Sequence, residues 1–461
     1  MSGERLLGSG YRLPPQPREW IDRDAPLDFH FEGSAYSGFS GDTITSALAA
    51  HGVRMLGRSF KYHRPRGVYS LANHDVNALM QDAQRLNIRA DVTPVWQGAD
   101  LYAVNTLGGL NADRYRVMDR LSAFFPVGFY YKTFHKPRWL FPFWERRLRN
   151  AAGLGKVDLK HPRVRTPKDY AFCDVLVIGG GPAGLSAALS AAKASARVML
   201  VDENPRLGGS LTYQYGGKSD ALSLAEPLLS QVQSEKGIEV RLSTVAAGYY
   251  ADHWIALVDD RRLTKLRARS VIVASGCFEI PAVFRNNDLP GVMLASAAQR
   301  LIFRFAVKPC HRALVLAANA EGYQACLDLM RAGVEVAGLA DLRAEGEPSA
   351  LGTEVAEAGV PIYAGYAVRE ARPASGKRGI RGALICPWDG AGNTDTRKAV
   401  ELRCDGIAMS VGYAAADSLI CQSGGKMAYS TPLEQFVPQA LPPGVFCAGR
   451  VNGVHQLDAQ I

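Results

Sequence analysis

The glycine-rich run GGGPAG at residues 179–184 is the part of this chain whose residue types and spacing point most clearly to ligand binding. An apolar stretch at 175–178, typical of a buried strand, precedes it, and an alanine-rich helix follows. We expect Gly179 to make the tight turn, Gly181 to let the backbone approach a pyrophosphate, and Gly184 to let the helix pack on the strand. The N–H groups and the dipole at the helix N-terminus would hold the phosphates.

A second apolar stretch at 198–201 ends at two acids, Asp202 and Glu203, which follow the glycine turn by about 20 residues. A carboxylate at this place can bind ribose hydroxyls, and it suits a free 2′-hydroxyl better than a 2′-phosphate. Strand, turn, helix and acid agree, so the sequence predicts a dinucleotide site. A glycine-rich turn without a ligand is the alternative.

Composition sets the class of protein. With 461 residues, 47% hydrophobic and 21% charged, the chain is typical of a globular protein of two or three domains. The net charge of +9 has no nucleic-acid recognition motif beside it, which favours an acidic partner or anionic ligand over nucleic acid. No apolar run is long enough to span a membrane, and no secretory signal is visible, so we expect a cytoplasmic protein.

All eight cysteines lie at or after Cys173, and none forms a CxxC pair. This scatter predicts reduced, mostly buried thiols and no zinc site, iron–sulfur site or redox disulfide. Metal ligands are therefore not expected in this chain.

Five regions need elements to position these residues. A small α+β module should contain a hairpin of 29–31 with 34–36, and a helix capped by Asp42 that runs through Ile44, Leu48 and Val53. The predicted regions are an N-terminal arm (1–26), the α+β module (27–113), an aromatic and basic linker (114–170), a first dinucleotide-binding domain (171–310 and 400–461) and an inserted second nucleotide-binding domain (311–399).

The inserted domain repeats the strand–turn–helix–strand pattern at 313–343. Ala317, Asn319 and Gly322 occupy its three fingerprint positions, so two of the three glycines are missing. Because side chains at these turns obstruct a pyrophosphate, we expect a retained fold whose second nucleotide site is lost or weakened.

Four strings carry a family resemblance. They are GRSFKYHRPRGVYS at 57–70, FPVGFYYKTFHKPRWL at 125–140, VDENPRLGGSL at 201–211 and CQSGGKMAYS at 421–430. The chain resembles flavoproteins with two dinucleotide-binding domains and, among them, the alpha subunits of heterotetrameric sarcosine oxidase. The resemblance implies an α/β, Rossmann-type FAD/NAD(P)-binding two-dinucleotide-domain fold, preceded by a small α+β ferredoxin-like domain of the [2Fe–2S] type.

A [2Fe–2S] cluster needs four thiolates, and residues 27–113 contain no cysteine. We therefore expect no iron–sulfur cluster and a structural role for this module. SFKYHRPRG stands where the cysteine loop would be. Its basic residues could meet an acidic partner or a flavin phosphate at a subunit interface, or form a solvated loop; they are Arg58, Lys61, His63, Arg64 and Arg66.

The resemblance implies NAD in the first fold of this chain, FAD in a beta subunit, and FMN between alpha and beta. In FAD-binding relatives the last strand ends in Gly-Asp, whereas here Gly449 precedes Arg450, which favours NAD and leaves FAD as the alternative. Glu203 aligns with the relatives' ribose ligand, with Asp202 as the alternative. His455 follows nearby, and a packed or solvated histidine is favoured over a functional one. The expected cofactor-binding residues are Gly179, Gly181, Ala183, Gly184, Asp202, Glu203, Asn204, Gly209, Ser210, Val245 (in a strand at 240–245), Ala274, Ser275, Gly276, Ala448 and Gly449.

Three functions follow from the resemblance. The first is an alpha subunit, with beta, gamma and delta partners, of a complex that oxidatively demethylates an N-methyl amino acid such as sarcosine at a partner's flavin. The second is an FAD-dependent amine or opine dehydrogenase alpha subunit. The third is a non-catalytic nucleotide-binding scaffold. No catalytic residue and no particular amine can be assigned. Since alpha subunits of this type continue into a folate-binding half, the chain is expected to be either a fragment or a shortened paralogue.

Overall fold

The computed structural model describes residues 10–75, 77–124, 128, 134–151, 165–214 and 221–461. Parts of the predicted linker at 114–170 lie outside the described residues. Within the described part of the chain, no helix has the length and apolar character needed to cross a membrane.

The described residues form the following elements. The helices are α1 (Ile44–Ala50), α2 (Val117–Arg120), α3 (Phe141–Ala151), α4 (Pro182–Lys193), α5 (Ala221–Ser234), α6 (Ala295–Phe305), α7 (Ala320–Arg331), α8 (Ala350–Glu357) and α9 (Ser418–Gln422). The strands are β1 (Asp22–Phe31), β2 (Ser34–Ser40), β3 (Gly57–Arg58), β4 (Pro65–Arg66), β5 (Leu79–Gln81), β6 (Ile88–Arg89), β7 (Asp100–Ala103), β8 (Lys168–Ile178), β9 (Val198–Val201), β10 (Ile238–Arg241), β11 (Val245–Tyr250), β12 (Trp254–Val258), β13 (Leu263–Val273), β14 (Cys277–Glu279), β15 (Val292–Leu294), β16 (Arg312–Ala317), β17 (Glu335–Asp341), β18 (Ile362–Ala364), β19 (Tyr366–Pro373), β20 (Ile380–Pro387), β21 (Val400–Leu402), β22 (Gly406–Ser410), β23 (Tyr413–Ala415), β24 (Lys426–Ser430), β25 (Gln435–Ala440) and β26 (Val445–Cys447).

The chain divides into two compact units. One comprises Met1–His161 with Pro281–Ser410, and the other comprises Pro162–Ile280 with Val411–Ile461. Residues 281–310 and 400–410, which the sequence analysis placed in the first dinucleotide-binding domain, therefore lie in one unit with the inserted domain. The physical reason is strand pairing: β15 runs parallel to β22 in the sheet of the inserted domain.

In the first unit, the N-terminal module is a five-stranded sheet in the order β2-β1-β7-β5-β6. The predicted hairpin is confirmed by the antiparallel pairing of β1 with β2. The predicted cap is wrong, and α1 ends at Ala50 rather than reaching Val53. Thr43 caps α1, because its Oγ1 accepts a hydrogen bond from Ser46 N at 3.1 Å. The carboxylate of Asp42 is instead paired with Arg12 at 2.7 Å.

The inserted domain, also in the first unit, has a five-stranded parallel sheet in the order β15-β22-β16-β17-β18. The strand–helix–strand pattern predicted at 313–343 is confirmed by β16, α7 and β17. Strands β19, β20 and β21 form a separate antiparallel sheet.

The second unit contains the first dinucleotide fold. Strands β10-β9-β8-β13 run parallel in that order, and β26 pairs in parallel with the end of β13. Apolar clusters cover both faces of this sheet, with Leu176 in one cluster and Val177 in the other. Burial on both faces explains why its strands read as continuous apolar runs.

The strand predicted at 240–245 is two strands. β10 ends at Arg241, and β11 begins at Val245 and pairs with β12. The chain turns between them because Ser243 N donates to the Asn204 carbonyl at 3.0 Å and Thr244 N to the Asp202 carbonyl at 2.9 Å.

Candidate dinucleotide-binding site

The glycine turn after β8 has the geometry that its sequence predicts. Gly179 has φ +108°, and a Cβ there would overlap with the Ala274 carbonyl oxygen. A Cβ on Gly184 would overlap with the Gly179 carbonyl oxygen. Both glycines are thus required by the fold itself, one by backbone conformation and the other by close packing of α4 on the turn.

Gly181 is different, because the fold does not require a glycine there. Its φ is −76°, and the heavy atom nearest to an added Cβ would be Gly209 Cα at 3.9 Å. It occupies the N-cap of α4 and is followed by Pro182, with no side chain capping the helix. The N-terminal turn of α4 therefore presents backbone N–H groups without a side-chain cap, which is the arrangement that binds phosphate.

The 3₁₀ turn Gly209–Thr212 packs against this cradle. Gly209 has φ +52°, and a Cβ on it would lie 2.7 Å from Gly181 Cα. The Ser210 carbonyl accepts a hydrogen bond from Gln214 N at 2.8 Å. Gly209 therefore lies against the glycine turn, and Ser210 follows it in the same 3₁₀ turn.

The two candidate ribose acids have different environments. Asp202 is buried; its Oδ2 accepts from Gly180 N at 2.6 Å, and its Oδ1 accepts from Asn204 N at 2.7 Å and Nδ2 at 2.9 Å. The neighbouring Glu203 is exposed at the end of β9. Both oxygens of Asp202 and the side-chain amide of Asn204 thus hold the turn together, whereas Glu203 is exposed to solvent.

The far end of the site is built from strand ends. Ala274 N donates to the Ile178 carbonyl at 2.8 Å, and Ser275 Oγ donates to the Ala416 carbonyl at 2.7 Å. Gly276 has φ +74°, and nothing lies within 4 Å of an added Cβ. Backbone at this position is therefore open to close approach by a ligand.

The last strand reaches the same helix. Ala448 N donates to the Val273 carbonyl at 3.1 Å. Gly449 has φ +75°, and a Cβ on it would lie 2.7 Å from Ala183 Cβ in the first turn of α4. The turn after β26 therefore contacts the phosphate-binding end of α4. Val245 lies at the first position of β11, on a separate strand of this unit.

Sequence reasoning missed a polar cluster next to Gly449. The guanidinium of Arg450 lies over the Tyr413 ring, 5.5 Å from its centroid. Buried Gln435 donates to the Arg450 carbonyl at 2.8 Å and forms a 2.9 Å hydrogen bond with His455. His455 also packs against Tyr413, with ring centroids 5.6 Å apart. It is therefore a packed histidine, and the cluster fixes a cation beside the site. The signal in the sequence was Gln435, a polar residue at the start of β25.

Burial disfavours ionisation of two thiols in this unit. Burial raises the pKa of Cys447, which precedes Ala448, to about 11. Burial likewise raises the pKa of Cys173 in β8 to about 11. In the residues that the structure describes, no group of three or more His, Cys, Asp or Glu side chains could hold a metal ion.

The corresponding site in the inserted domain is filled by its own side chains. Asn319 caps α7, accepting from Gly322 N at 3.1 Å and from Ser410 Oγ at 3.0 Å. Asp341 ends β17, is fully buried, and accepts from Tyr323 Oη at 2.8 Å and Arg343 Nη2 at 2.8 Å. Both positions where a nucleotide would bind are thus hydrogen-bonded within the protein.

The loop that replaces the cysteines is also bonded within the protein. Arg64 pairs with Asp288 at 2.8 Å, and Arg66 pairs with the same carboxylate. His63 is buried and forms a 2.9 Å contact with Asp113. Lys61 lies over the Tyr62 ring. The loop is therefore an ordered part of the first unit, and with arginines in place of thiolates it does not fit an iron–sulfur cluster.

A glycine turn with an acid-bearing second strand, a second fold of the same pattern and a ferredoxin-like module together define a two-dinucleotide-domain oxidoreductase. Family models agree: residues 24–106 match a 2Fe-2S iron-sulfur cluster binding domain, and residues 174–278 match an FAD dependent oxidoreductase.

Curated relatives agree with the resemblance. Sarcosine oxidase subunit alpha of Rhizobium meliloti (strain 1021) is 35% identical over 96% of this chain and 45% of that protein. The namesake from Corynebacterium sp. (strain U-96) is 28% identical over 94% of this chain and 42% of that protein. The chain is a homologue of these alpha subunits, as its sequence predicted, and spans about half the length of the curated relatives that it matches.

A solved structure supports the fold. L-proline dehydrogenase from P. horikoshii superimposes with a TM-score of 0.64 over 95% of this chain and 71% of that chain, at 18% identity. At this level of identity the likeness concerns the fold alone, and it confirms the α/β, Rossmann-like architecture.

Proposed function

We propose that this chain is the NAD-binding alpha subunit of a sarcosine oxidase-type complex that oxidatively demethylates an N-methyl amino acid. Homology to sarcosine oxidase alpha subunits supports an oxidoreductase subunit with partner chains. In this proposal the partners are beta, gamma and delta subunits, and the amine is oxidised at a flavin in a partner, with FAD in beta and FMN shared between alpha and beta. A bound flavin supplies the hydride acceptor for such a reaction.

The first dinucleotide fold would bind NAD. Gly181 would let the backbone approach the pyrophosphate, which the N-terminal turn of α4 would face, while Gly179 and Gly184 shape the turn. Glu203 would accept the hydroxyls of the adenine ribose. Because a carboxylate repels a 2′-phosphate, this acid supports NAD rather than NADP.

Arg450 is the observation that carries the choice of NAD over FAD. It follows Gly449, which lies against the first turn of α4, and its guanidinium lies over the Tyr413 ring. An acid at this place would instead accept hydrogen bonds from the hydroxyls of a flavin's ribityl chain. A guanidinium cannot accept these hydrogen bonds, which disfavours FAD, whereas its attraction to a pyrophosphate is the same for both nucleotides.

The residues described in this chain supply binding rather than bond-breaking chemistry. The second nucleotide position is filled by Asn319 and Asp341, and the ferredoxin-like module has no cysteine. This arrangement supports a division of labour in which the alpha chain binds and orients while a partner holds the reacting amine.

FAD in the same site is the second candidate, which would make the chain an amine or opine dehydrogenase alpha subunit. The match of residues 174–278 to an FAD dependent oxidoreductase favours it. The two candidates share the glycine turn and Glu203, and they differ in what lies beside Arg450.

The test is the identity of the nucleotide that copurifies with the chain, released by heat and resolved by mass spectrometry and absorbance. We expect NAD and a colourless protein. Arg450→Asp should lower NAD occupancy and allow FAD to bind, whereas Arg450→Gln should lower NAD occupancy without allowing FAD. Tightly bound FAD in the unaltered chain would contradict the proposal and support the second candidate.

A further inference from the structure

The ferredoxin-like module contains a cavity that the proposed function does not use. Its volume is about 140 Å³, and it lies at the loop that stands in place of the cysteines. The residues that line it include the polar Arg58, Ser59, Arg66 and Asn77 and the apolar Phe60 and Leu79. An engineered protein cavity of about 150 Å³ binds benzene, so this one has room for a small molecule or functional group.

The cavity wall is held in place by hydrogen bonds. The Arg58 side chain is only 6% exposed; its Nε donates to the Leu110 carbonyl at 2.9 Å, and its Nη1 donates to the His63 carbonyl at 2.7 Å. Asn105 Nδ2 donates to the Ser59 carbonyl at 2.7 Å. The guanidinium is thus buried and oriented before any ligand arrives, which reduces the entropy lost on binding.

Positive charge is in excess around the cavity. Three carboxylates are nevertheless shared among these cations. Asp288 pairs with both Arg64 and Arg66, and Asp119 lies 4.0 Å from Arg64 and pairs with Lys377. Asp113 lies 3.7 Å from Arg58. Burial is the largest cause that lowers the pKa of Arg58; repulsion from Arg116 and Arg378 adds to it, against the attraction of Asp113 and Asp119. A buried guanidinium in such a field is stabilised when an anion enters.

An iron–sulfur cluster does not explain this excess of positive charge. The module matches a 2Fe-2S cluster binding domain over residues 24–106, yet that stretch contains no cysteine. Arginine has five N–H donors in a planar fork that suits phosphate and carboxylate oxygens. Ser59 and Asn77 add a hydroxyl and an amide, which together suit an acceptor with several oxygens.

We propose that this cavity, lined by Arg58, Ser59, Arg66 and Asn77, is an anion site for a phosphate group, either inorganic phosphate or the head of a small phosphomonoester. The site takes the place of the metal cluster and is separate from the dinucleotide cradle. It does not depend on which nucleotide the first fold binds.

The experiment is calorimetric titration of the whole chain, saturated with NAD, at constant ionic strength. The probes are inorganic phosphate and glycerol 3-phosphate, with acetate as a monoanionic control. We expect saturable binding of one phosphate per chain, weakened about tenfold in Arg58→Gln and in Arg66→Gln through loss of a charge-assisted contact. Arg89→Gln, which removes an exposed cation of the same module, should leave binding unchanged.

Hydrogen exchange on the unaltered chain tests the same site without a mutation. Phosphate should slow amide exchange at 57–66 and leave 179–184 unchanged. A tighter fit for glycerol 3-phosphate identifies a phosphomonoester, and a tighter fit for inorganic phosphate identifies the free ion. The proposal is overturned if phosphate does not bind saturably, if acetate binds as well, or if protection appears at 179–184 rather than at 57–66.

Discussion

The two nucleotide folds of this chain have the same order of strand, turn and helix but opposite fates for their polar groups. In the fold of the second unit, Gly181 begins α4 without a side-chain cap. In the inserted domain, Asn319 begins α7 and caps it with its own side chain. The same turn therefore presents backbone N–H groups in one fold and satisfies one of them internally in the other.

The glycines show which demands each fold has kept. A Cβ on Gly184 would overlap with the turn before it, and a Cβ on Gly322 would lie 2.6 Å from Ala317 Cβ. Glycine is thus retained in both folds where helix and strand pack closely. The glycine at 181, which close packing does not require, has Asn319 as its counterpart at the N-cap of the second fold. The packing glycine is thus kept in both folds, and the N-cap glycine in one.

The acids at the ends of the second strands differ in the same way. Asp202 is followed by exposed Glu203, whereas Asp341 is followed by the half-buried Leu342. Asp341 is bound by Tyr323 and Arg343. Although burial lowers the pKa of Arg343, its hydrogen bonds to Asp341 and Glu347 raise that pKa overall. Where the first fold has an exposed acid, the inserted domain has an apolar residue, and its buried Asp341 is paired with Arg343.

The largest expected effect separates ligand from fold at Gly181. Because a Cβ there meets no atom closer than 3.9 Å, Gly181→Val should fold normally while its side chain projects toward the phosphates. We expect NAD affinity to fall about a thousandfold, or about 4 kcal/mol, with little change in Tm. Calorimetry and thermal unfolding measure the two quantities. Asn319→Gly is the matched control in the inserted domain, and it should leave NAD affinity unchanged.

The ion pair of the inserted domain should matter for stability alone. Asp341→Ala leaves Tyr323 without its acceptor and Arg343 with Glu347 alone, and we expect the free energy of unfolding to fall by about 2 kcal/mol. Denaturant unfolding gives this value. NAD affinity should not change; a loss of NAD with normal stability would show that the inserted domain takes part in binding.

A mutation of Glu203 tests whether the two folds differ at the ribose position. Glu203→Gln keeps the shape but loses the charge, and we expect about a tenfold loss of NAD affinity through a weaker hydrogen bond to the hydroxyls. Leu342→Glu places an acid at the matching position of the inserted domain and should create no second site. If Glu203→Gln binds NAD normally while Asp202→Asn remains folded and loses it, the assignment of the ribose ligand is reversed.

The smallest effect is a pH dependence in α7. Burial raises the pKa of Asp328 to about 6, against hydrogen bonds from Gln299, Gln324 and Arg331 that lower it. A carboxyl with a raised folded-state pKa stabilises most below its ordinary pKa, and this contribution is lost as the pH rises toward 6. Asp328→Asn should therefore flatten the fall in unfolding free energy between about pH 4 and pH 6. An unchanged slope would assign that fall to other groups.

Local sequence predicted the elements whose pattern is complete within a few residues. Three of these predictions are confirmed: the glycine turn at 179–184, the hairpin of the N-terminal module and the repeated pattern at 313–343. Neighbouring residues determine the turns and the close packing in each of them. The family resemblance is confirmed by relatives across almost the whole chain.

Features that depend on distant residues were predicted less well. The sequence predicted Asp42 as a cap because Arg12, which binds its carboxylate, lies 30 residues away in the chain. The strand at 240–245 breaks because its turn bonds to the backbone of Asp202 and Asn204, and the domain boundary moves because β15 pairs with β22. The cluster of Tyr413, Gln435 and Arg450 was missed for the same reason. The ligand contacts predicted for the site residues stay predictions until a nucleotide is seen.

The most direct test of the account is the stoichiometry of NAD on the nucleotide-stripped chain, measured by calorimetry. Two folds of the same pattern offer two places, but only the one that begins at Gly179 has its phosphate-binding turn uncapped. The account predicts one NAD per chain, lost in Gly181→Val and retained in Asp341→Ala. Two equivalents per chain, or one that survives Gly181→Val, would contradict it.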